Sequence, residues 1–353
     1  MELTELQKKI LNAPEDKIAV IACAAALKTS TMTEKVRQLL KNGTDPTSIA
    51  VITFTRMAAQ ELIDRLGDDY KNGLFVGTIH SLAAKFIANH GQGDKINKIA
   101  EEENFDKLFD ICEGYNLYHA YDWVFIDECQ DTGEKELRFI FDLLDPEHYF
   151  CCLDFNQSIY AFRGARPDLL KKYLKKEAKF YSLNENYRNG RNILKYAKDL
   201  LNKSGAVDNS IAKRDCGGSV YEGVYNLDVL VDWIESIDAY NDWVILCRTN
   251  SEISEIQRDL EKCGIPTMTF KQGDITKSEL DKMLKENKVK VLTVHSSKGL
   301  AWNNVVVYGM ANVWHGKNDD PNEYSRLQYV AATRAKNSLI WLKKPKKKSA
   351  KYF

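Results

Sequence analysis

Short apolar runs recur along this chain, and segments of helical period lie between them. Ile18–Cys23 reads as a strand and Lys28–Leu40 as a helix, then Ile49–Phe54 as a strand and Met57–Leu66 as a helix. Leu74–Ile79, Trp123–Ile126 and Tyr149–Leu153 are further strands. Strands that stay apolar at successive positions are buried on both faces, which predicts an α/β fold with a parallel sheet covered by helices. From Ala84 to Tyr121 the pattern turns helical and charged, as at Glu101-Glu102-Glu103, and predicts a small helical insertion. A second series starts near Lys179, with strands at Val220–Val224, Trp243–Leu246, Val289–Val294 and Val305–Tyr308. Two α/β lobes are therefore expected, at 1–182 and 183–342, with a tail at 343–353.

Length agrees with that division, since 353 residues exceed one comfortable core. Hydrophobic residues at 44% and charged residues at 28% exclude general disorder. The N-terminus lacks the basic-then-apolar pattern of a secretory signal, and no apolar run reaches the ~18 residues of a membrane span. A cytoplasmic protein without a membrane partner is expected. The eight cysteines form no CxxC pair and no zinc spacing, so they read as buried thiols in a reducing compartment. Fifty basic and 50 acidic residues cancel, so a polyanion would have to be held by a local patch. One such patch is the tail, where Lys343, Lys344, Lys346, Lys347, Lys348 and Lys351 crowd together. It reads either as a solvated end or as a sequence-blind phosphate contact.

Candidate chemistry sits where strands end. The first strand runs into Ala24-Ala25-Ala26-Leu27-Lys28-Thr29-Ser30. A phosphate-binding loop needs Lys-Thr at its end and glycines before it, so that backbone N–H groups can curl around phosphate oxygens. Lys28 and Thr29 stand in those places without the glycines, and by themselves read as a buried strand entering a helix. Val124-Phe125-Ile126-Asp127-Glu128 is an apolar strand that delivers two carboxylates at its end. Such a pair suits a Mg²⁺-nucleotide site, with Asp127 on the metal and Glu128 polarising water; it also suits an aspartate capping the next helix.

The downstream runs decide the matter. Cys129-Gln130-Asp131-Thr132 follows Asp127-Glu128, and Asp154-Phe155-Asn156-Gln157-Ser158-Ile159-Tyr160-Ala161-Phe162-Arg163-Gly164-Ala165 comes next. Then come Asn186-Tyr187-Arg188, Thr293-Val294-His295-Ser296-Ser297-Lys298-Gly299-Leu300 and Tyr329-Val330-Ala331-Ala332-Thr333-Arg334-Ala335-Lys336. In this order, from Gln7 to Trp341, the chain resembles the UvrD/Rep/PcrA-like superfamily 1 DNA helicases. The resemblance implies two RecA-like lobes of the P-loop NTPase fold with ATP between them, and 3′-to-5′ movement on single-stranded DNA. Gln7 then matches the residue that reads adenine, and Ala25, Ala26, Leu27, Lys28, Thr29 and Ser30 line the phosphates. Thr29 and Asp127 hold Mg²⁺, and Glu128 orients water. Gln157 senses the γ-phosphate, and Arg188 and Arg334 reach it from the second lobe. Phe54, Thr55, Arg56, His80, Tyr160, Phe162, Thr293 and His295 match the strand-binding positions, with Tyr160 and Phe162 as stacking aromatics. No run reads base edges, so sequence-independent binding is expected.

Several positions depart from the family pattern. Ala25 and Leu27 replace glycines, Leu153 replaces another, and Ala301 stands where the family has a glutamate that holds the ribose. Arg56 and Met57 replace asparagine and lysine. Two readings follow: an ATPase weakened at its phosphate loop, or an ATPase-impaired relative that binds nucleic acid. A P-loop kinase or small-molecule ATPase leaves the downstream runs unexplained. The second-lobe insertion of the family is nearly absent here, as in compact phage or mobile-element versions, so strand separation is not implied. Restoring glycines in the loop is expected to cost a little stability through the freedom of the unfolded chain.

Overall fold

The computed structural model describes residues 3–237, 239–271, 275–310 and 321–345. The chain divides into two compact units, Met1–Asn184 and Glu185–Phe353.

In the first unit the helices are α1 (Glu5–Leu11), α2 (Lys28–Lys41), α3 (Arg56–Leu66), α4 (Ile79–Asn89), α5 (Gly93–Glu101), α6 (Lys107–Cys112), α7 (Glu134–Arg138) and α8 (Pro167–Glu177). The strands are β1 (Lys17–Ala22), β2 (Ile49–Thr53), β3 (Phe75–Thr78), β4 (Trp123–Ile126), β5 (His148–Leu153) and β6 (Lys179–Leu183). They form one parallel sheet in the order β3-β2-β4-β5-β1-β6. Successive strand residues feed opposite faces. Ala19, Val124, Ile126 and Cys151 pack with α4, α6 and α8, and Ile18, Val20, Phe125, Phe150 and Cys152 pack with α2 and α3. Burial on both faces is why these strands lack polar alternation. The helical insertion is α5 and α6 together with the end of α4.

The second unit repeats the plan. Its helices are α9 (Arg191–Asn202), α10 (Leu227–Glu235), α11 (Asn250–Lys262), α12 (Lys277–Lys285) and α13 (Pro321–Ala332). A two-stranded ladder joins β7 (Glu185–Asn186) to β8 (Ile211–Ala212). The main strands are β9 (Ser219–Val224), β10 (Trp243–Cys247), β11 (Thr267–Met268), β12 (Val289–Thr293), β13 (Trp302–Tyr308) and β14 (Ala335–Lys343), parallel in the order β11-β12-β10-β13-β14-β9. Two six-stranded parallel sheets fit two RecA-like lobes.

Three sequence expectations change. The segment from Lys179 does not open the second series: β6 pairs with β1, Ile18 against Lys179, and forms the edge of the first sheet. The cysteines are free thiols, but Cys23 and Cys216 are half-buried and Cys263, which caps the end of α11, is exposed. The tail begins as structure, since Lys343 pairs with Val224 and the Lys344 ammonium lies 2.7 Å from the Glu252 carboxylate. Lys346, Lys347, Lys348 and Lys351 lie outside the described residues. Among the described residues no helix is long and apolar enough to cross a membrane.

Candidate functional site

Parallel strands present their C-terminal ends on one side of the sheet, and helices begin there. The register sets Ile21 of β1 beside Leu153 of β5, and Cys151 of β5 beside Ile126 of β4. The segments that follow these three strands are therefore neighbours, although the loop after β1 lies 100 residues and more from the other two in sequence. The loop 23–27 leaves β1, Asp127-Glu128 leaves β4, and Asp154 leaves β5.

The loop keeps a glycine-like path without glycines. Ala25 has φ 57° and Leu27 φ 62°, in the left-handed region that favours glycine. These are the two positions at which the family pattern has glycine. The Ala26 side chain is 4% exposed and joins the core with Ala22 and Met32, which anchors the loop from below. Leu27 is the N-cap of α2 and supplies no side-chain acceptor, so the first-turn N–H groups of that helix are left for an external acceptor.

Around the loop the charged groups converge. Lys28 Nζ lies 3.1 Å from Glu128 Oε1, and the lysine is 8% exposed. Burial disfavours its charge, but Glu128, Asp154 and Asp127 outweigh that and hold its pKa above the ordinary lysine value. Thr29 Oγ1 donates to Asp127 Oδ2 at 2.8 Å. Burial first, then the neighbouring Glu128 charge, push the Asp127 carboxyl up to about 6 against the pull of Lys28 and Thr29. A hydroxyl and a buried carboxylate of this kind are hard oxygen donors with charge to be neutralised, a set that fits a small divalent cation. Glu128 itself has φ 51°, a turn that brings its side chain back over the loop.

Gln130 extends the cluster. It is fully buried; its Nε2 donates to Glu128 Oε2 at 2.5 Å, and its Oε1 accepts from the Asp154 N–H at 2.9 Å. Asp154 Oδ2 in turn accepts from Gln157 Nε2 at 2.5 Å. Gln7 sits apart from these charges. Its Oε1 accepts from the Thr4 N–H at 3.0 Å and its Nε2 donates to Thr31 Oγ1 at 2.9 Å, tying α1 to α2.

The strand-binding candidates fall into separate groups. Phe54 stacks on Tyr160 with ring centroids 5.0 Å apart, and Phe162 lies 5.9 Å from Tyr160. The Arg163 guanidinium caps both rings, 5.2 Å from Tyr160 and 5.7 Å from Phe162. Tyr160 is 8% exposed and Phe162 65%, so Phe162 carries the open ring face and Tyr160 supports it. Thr55 caps α3 through the Ala58 N–H, and Arg56 is exposed on its first turn. His80 packs on Phe109 at 5.1 Å and faces Glu136 at 3.7 Å; burial lowers its pKa against the pull of Asp106.

In the second unit Thr293 Oγ1 accepts the Ser296 N–H at 3.2 Å, and His295 opens the short turn that follows. Asn186 is fully buried, and its Oδ1 accepts the N–H groups of Arg188 and Asn189 at 3.0 and 2.8 Å. Asn189 Nδ2 donates to the carbonyls of Thr333 and Ala335, and Arg214 Nη1 donates to those of Arg188 and Lys336. This clasp sets the Arg188 turn against the Arg334 segment. Arg334 is 1% exposed and donates to the Val330 and Leu300 carbonyls at 3.0 and 3.2 Å.

Sequence reasoning assigned no role to Gln130, Asp154, Arg163, Asn189 or Arg214. The asparagine pair at i, i+3 is a turn signal that could have exposed the clasp. For Gln130 no spacing rule exists, because its partners come from two strand ends.

Comparison with known proteins gives the family. The UvrD/REP helicase N-terminal domain family matches residues 3–116 and 114–179, and the UvrD-like helicase C-terminal domain family matches 271–344. A probable DNA helicase II homolog of Mycoplasma capricolum is 23% identical over 70% of this chain and 49% of its own length. DNA helicase II of Haemophilus influenzae is 23% identical over 75% of the chain and 50% of its own length. The Gabija protein GajB of Bacillus cereus is 25% identical over 70% and 60%. The chain thus spans about half the length of the first two relatives. With the N-terminal family alone matching across residues 3–179 of the 353, the chain belongs to the UvrD/Rep helicase family.

Proposed function

We propose that this chain binds ATP with Mg²⁺ at the loop 23–30 and hydrolyses it to move 3′ to 5′ along single-stranded DNA. The observation that supports this most directly is the pair of short contacts joining two strand ends, Lys28 to Glu128 at 3.1 Å and Thr29 to Asp127 at 2.8 Å. Incoming phosphate competes with Glu128 for the Lys28 ammonium. Once Lys28 turns to the β- and γ-phosphates, Glu128 loses its counter-ion and is left to orient water, steadied by Gln130. Thr29 and Asp127 would hold Mg²⁺, which supplies charge neutralisation at the phosphate oxygens. Arg188 and Arg334 take the role of γ-phosphate cations, and Gln7 offers its carboxamide to adenine.

On the DNA side, Phe162 provides a sequence-blind stacking face and Arg163 a cation beside it. His80, Thr293 and His295 add polar contacts to the strand, as Arg56 does from α3. Steady-state ATP hydrolysis with and without oligo-dT tests the reading. Strong stimulation is expected. DNA binding without hydrolysis would reject the motor and leave an ATPase-impaired relative, and DNA-independent turnover would point to a small-molecule ATPase.

A further inference from the structure

α8 carries charge that the fold does not use. Its inner face, Leu170 and Leu174, is fully buried against the core of the first unit. Its outer face shows Lys171, Lys172, Lys175 and Lys176, all exposed. Lys171 with Lys175 and Lys172 with Lys176 are i, i+4 pairs of like charge, which weakens a helix. Lys175 and Lys176 recover part of this at the helix C-terminus, where the backbone dipole favours cations; Lys171 and Lys172 sit mid-helix and do not.

Nearby carboxylates are committed elsewhere. Asp168 takes a two-pronged pair from Arg166 at 3.0 Å, Glu177 pairs with Lys17, and Asp142 accepts from the Tyr173 hydroxyl. Among the described residues none of the four lysines has an ion-pair partner. Lys171 and Lys176 lie over the rings of Phe155 and Tyr173, at 5.9 and 5.7 Å, with the aromatics beneath them.

We infer that this lysine face is a second nucleic-acid surface, one that holds the phosphate backbone of duplex DNA. A single-strand grip needs open ring faces for bases to stack on, and here Phe155 and Tyr173 are half-buried under the lysines. What remains is charge alone. A duplex presents about one phosphate per 1.7 Å of axis, twice the density of either strand, and rewards a charge-only surface most. The chain has no net charge to attract DNA in bulk, so a local face has to do it. Its place in sequence suits the task, because Phe162 and Arg163 end only four residues before α8 begins at Pro167. The inference rests on the proposed function in taking DNA as the natural partner.

The test uses the full chain, without ATP, and measures anisotropy of a labelled blunt duplex and of oligo-dT across a salt series. Glutamine at all four positions (Lys171→Gln, Lys172→Gln, Lys175→Gln, Lys176→Gln) keeps side-chain length and helix preference. For the duplex, the slope of log affinity against log salt should become shallower by about 3 to 4. Oligo-dT binding should change little, and arginine at the same four positions should keep the slope. An unchanged duplex slope overturns the inference. Loss confined to oligo-dT also overturns it and assigns the lysines to the single strand. Because no hydrolysis is read, failure of the motor reading leaves this outcome intact. A flat duplex result likewise leaves DNA-stimulated turnover standing.

Discussion

Glycine at positions 25 and 27 should make the first unit more stable and change ATP affinity little. Sequence reasoning alone gives the opposite sign for stability, because glycine adds freedom to the unfolded chain. The structure supplies the missing contribution. Ala25 and Leu27 hold φ at 57° and 62°, and a residue with a Cβ is destabilised there by about 1–2 kcal/mol. Glycine relieves that and gives back about 0.5–1 kcal/mol in unfolded-state freedom. Leu27 joins neither core cluster of the unit but is half-buried, so its removal also gives up part of its apolar burial and trims the gain. The double change Ala25→Gly/Leu27→Gly should therefore gain about 1 kcal/mol, or about 2–4 °C in the melting temperature of a unit this size. Binding is a different matter, since the loop already follows the path that presents N–H groups to phosphate. Strain present before and after binding cancels, and only removal of the leucine side chain can help. ATP should tighten by about tenfold at most, near the low end of what one hydrogen bond to a charged acceptor is worth. Scanning calorimetry and nucleotide titration read the two effects separately. A melting temperature that falls by more than about 2 °C would refute the strain reasoning. A hundredfold gain in affinity would show that the loop is not pre-shaped and that Leu27 obstructs the phosphate.

Glu128→Gln should lower turnover by about 10²–10⁴-fold and leave ATP binding equal or tighter, because Lys28 is released from its 3.1 Å partner; near-native steady-state hydrolysis would reject the role. Gln130→Leu should cost about 1–3 kcal/mol in urea unfolding, by stranding the Asp154 N–H in the core, and should slow turnover by freeing Glu128 from its second contact; a variant that unfolds normally and turns over normally would remove Gln130 from the site. Lys290 is fully buried in β12, and burial chiefly pushes its pKa down to about 8. Between about pH 8 and about 10.4 the unfolded chain keeps a proton that the folded one has lost, so stability rises with pH across that window. Lys290→Met should flatten the rise in melting temperature, and an unchanged slope would assign it to other groups.

How far the fold could be read depended on where a strand sits in its sheet. Interior strands such as β2, β4 and β10 are buried on both faces, and their unbroken apolar runs announce them. β6 is an edge strand with three of its five residues exposed, and its place beside β1 is a long-range pairing that no local pattern reveals. β14 starts with Ala335-Lys336-Asn337-Ser338, which carries the polar clasp rather than a core face, so its apolar end alone did not mark a strand. At the site the charged side chains were legible, because chemistry fixes their type and order. Loop shape was not: alanine and leucine seldom enter the left-handed region, and only the backbone shows that they are there. Burial separates Tyr160 from Phe162, which sequence treats as equals.

In the proposed motor, the same contacts would carry a phosphate signal towards the candidate strand-binding residues within one unit. Lys28, Glu128, Gln130, Asp154 and Gln157 form an unbroken series of ion pair and hydrogen bonds, each link 3.1 Å or shorter. Every member but Glu128 is less than a tenth exposed, so in this low-dielectric setting losing one partner is costly and the links shift together. The series ends at Gln157, three residues before Tyr160, in a short helical turn whose end feeds the aromatic cluster. Tyr160 stacks on Phe54 and lies under the Arg163 guanidinium, so a displacement of Tyr160 is shared with both. In the proposed motor, phosphate entering at Lys28 disturbs the first link and Phe162 carries the last. The coupling is short because one glutamine, buried between two strand ends, bridges them.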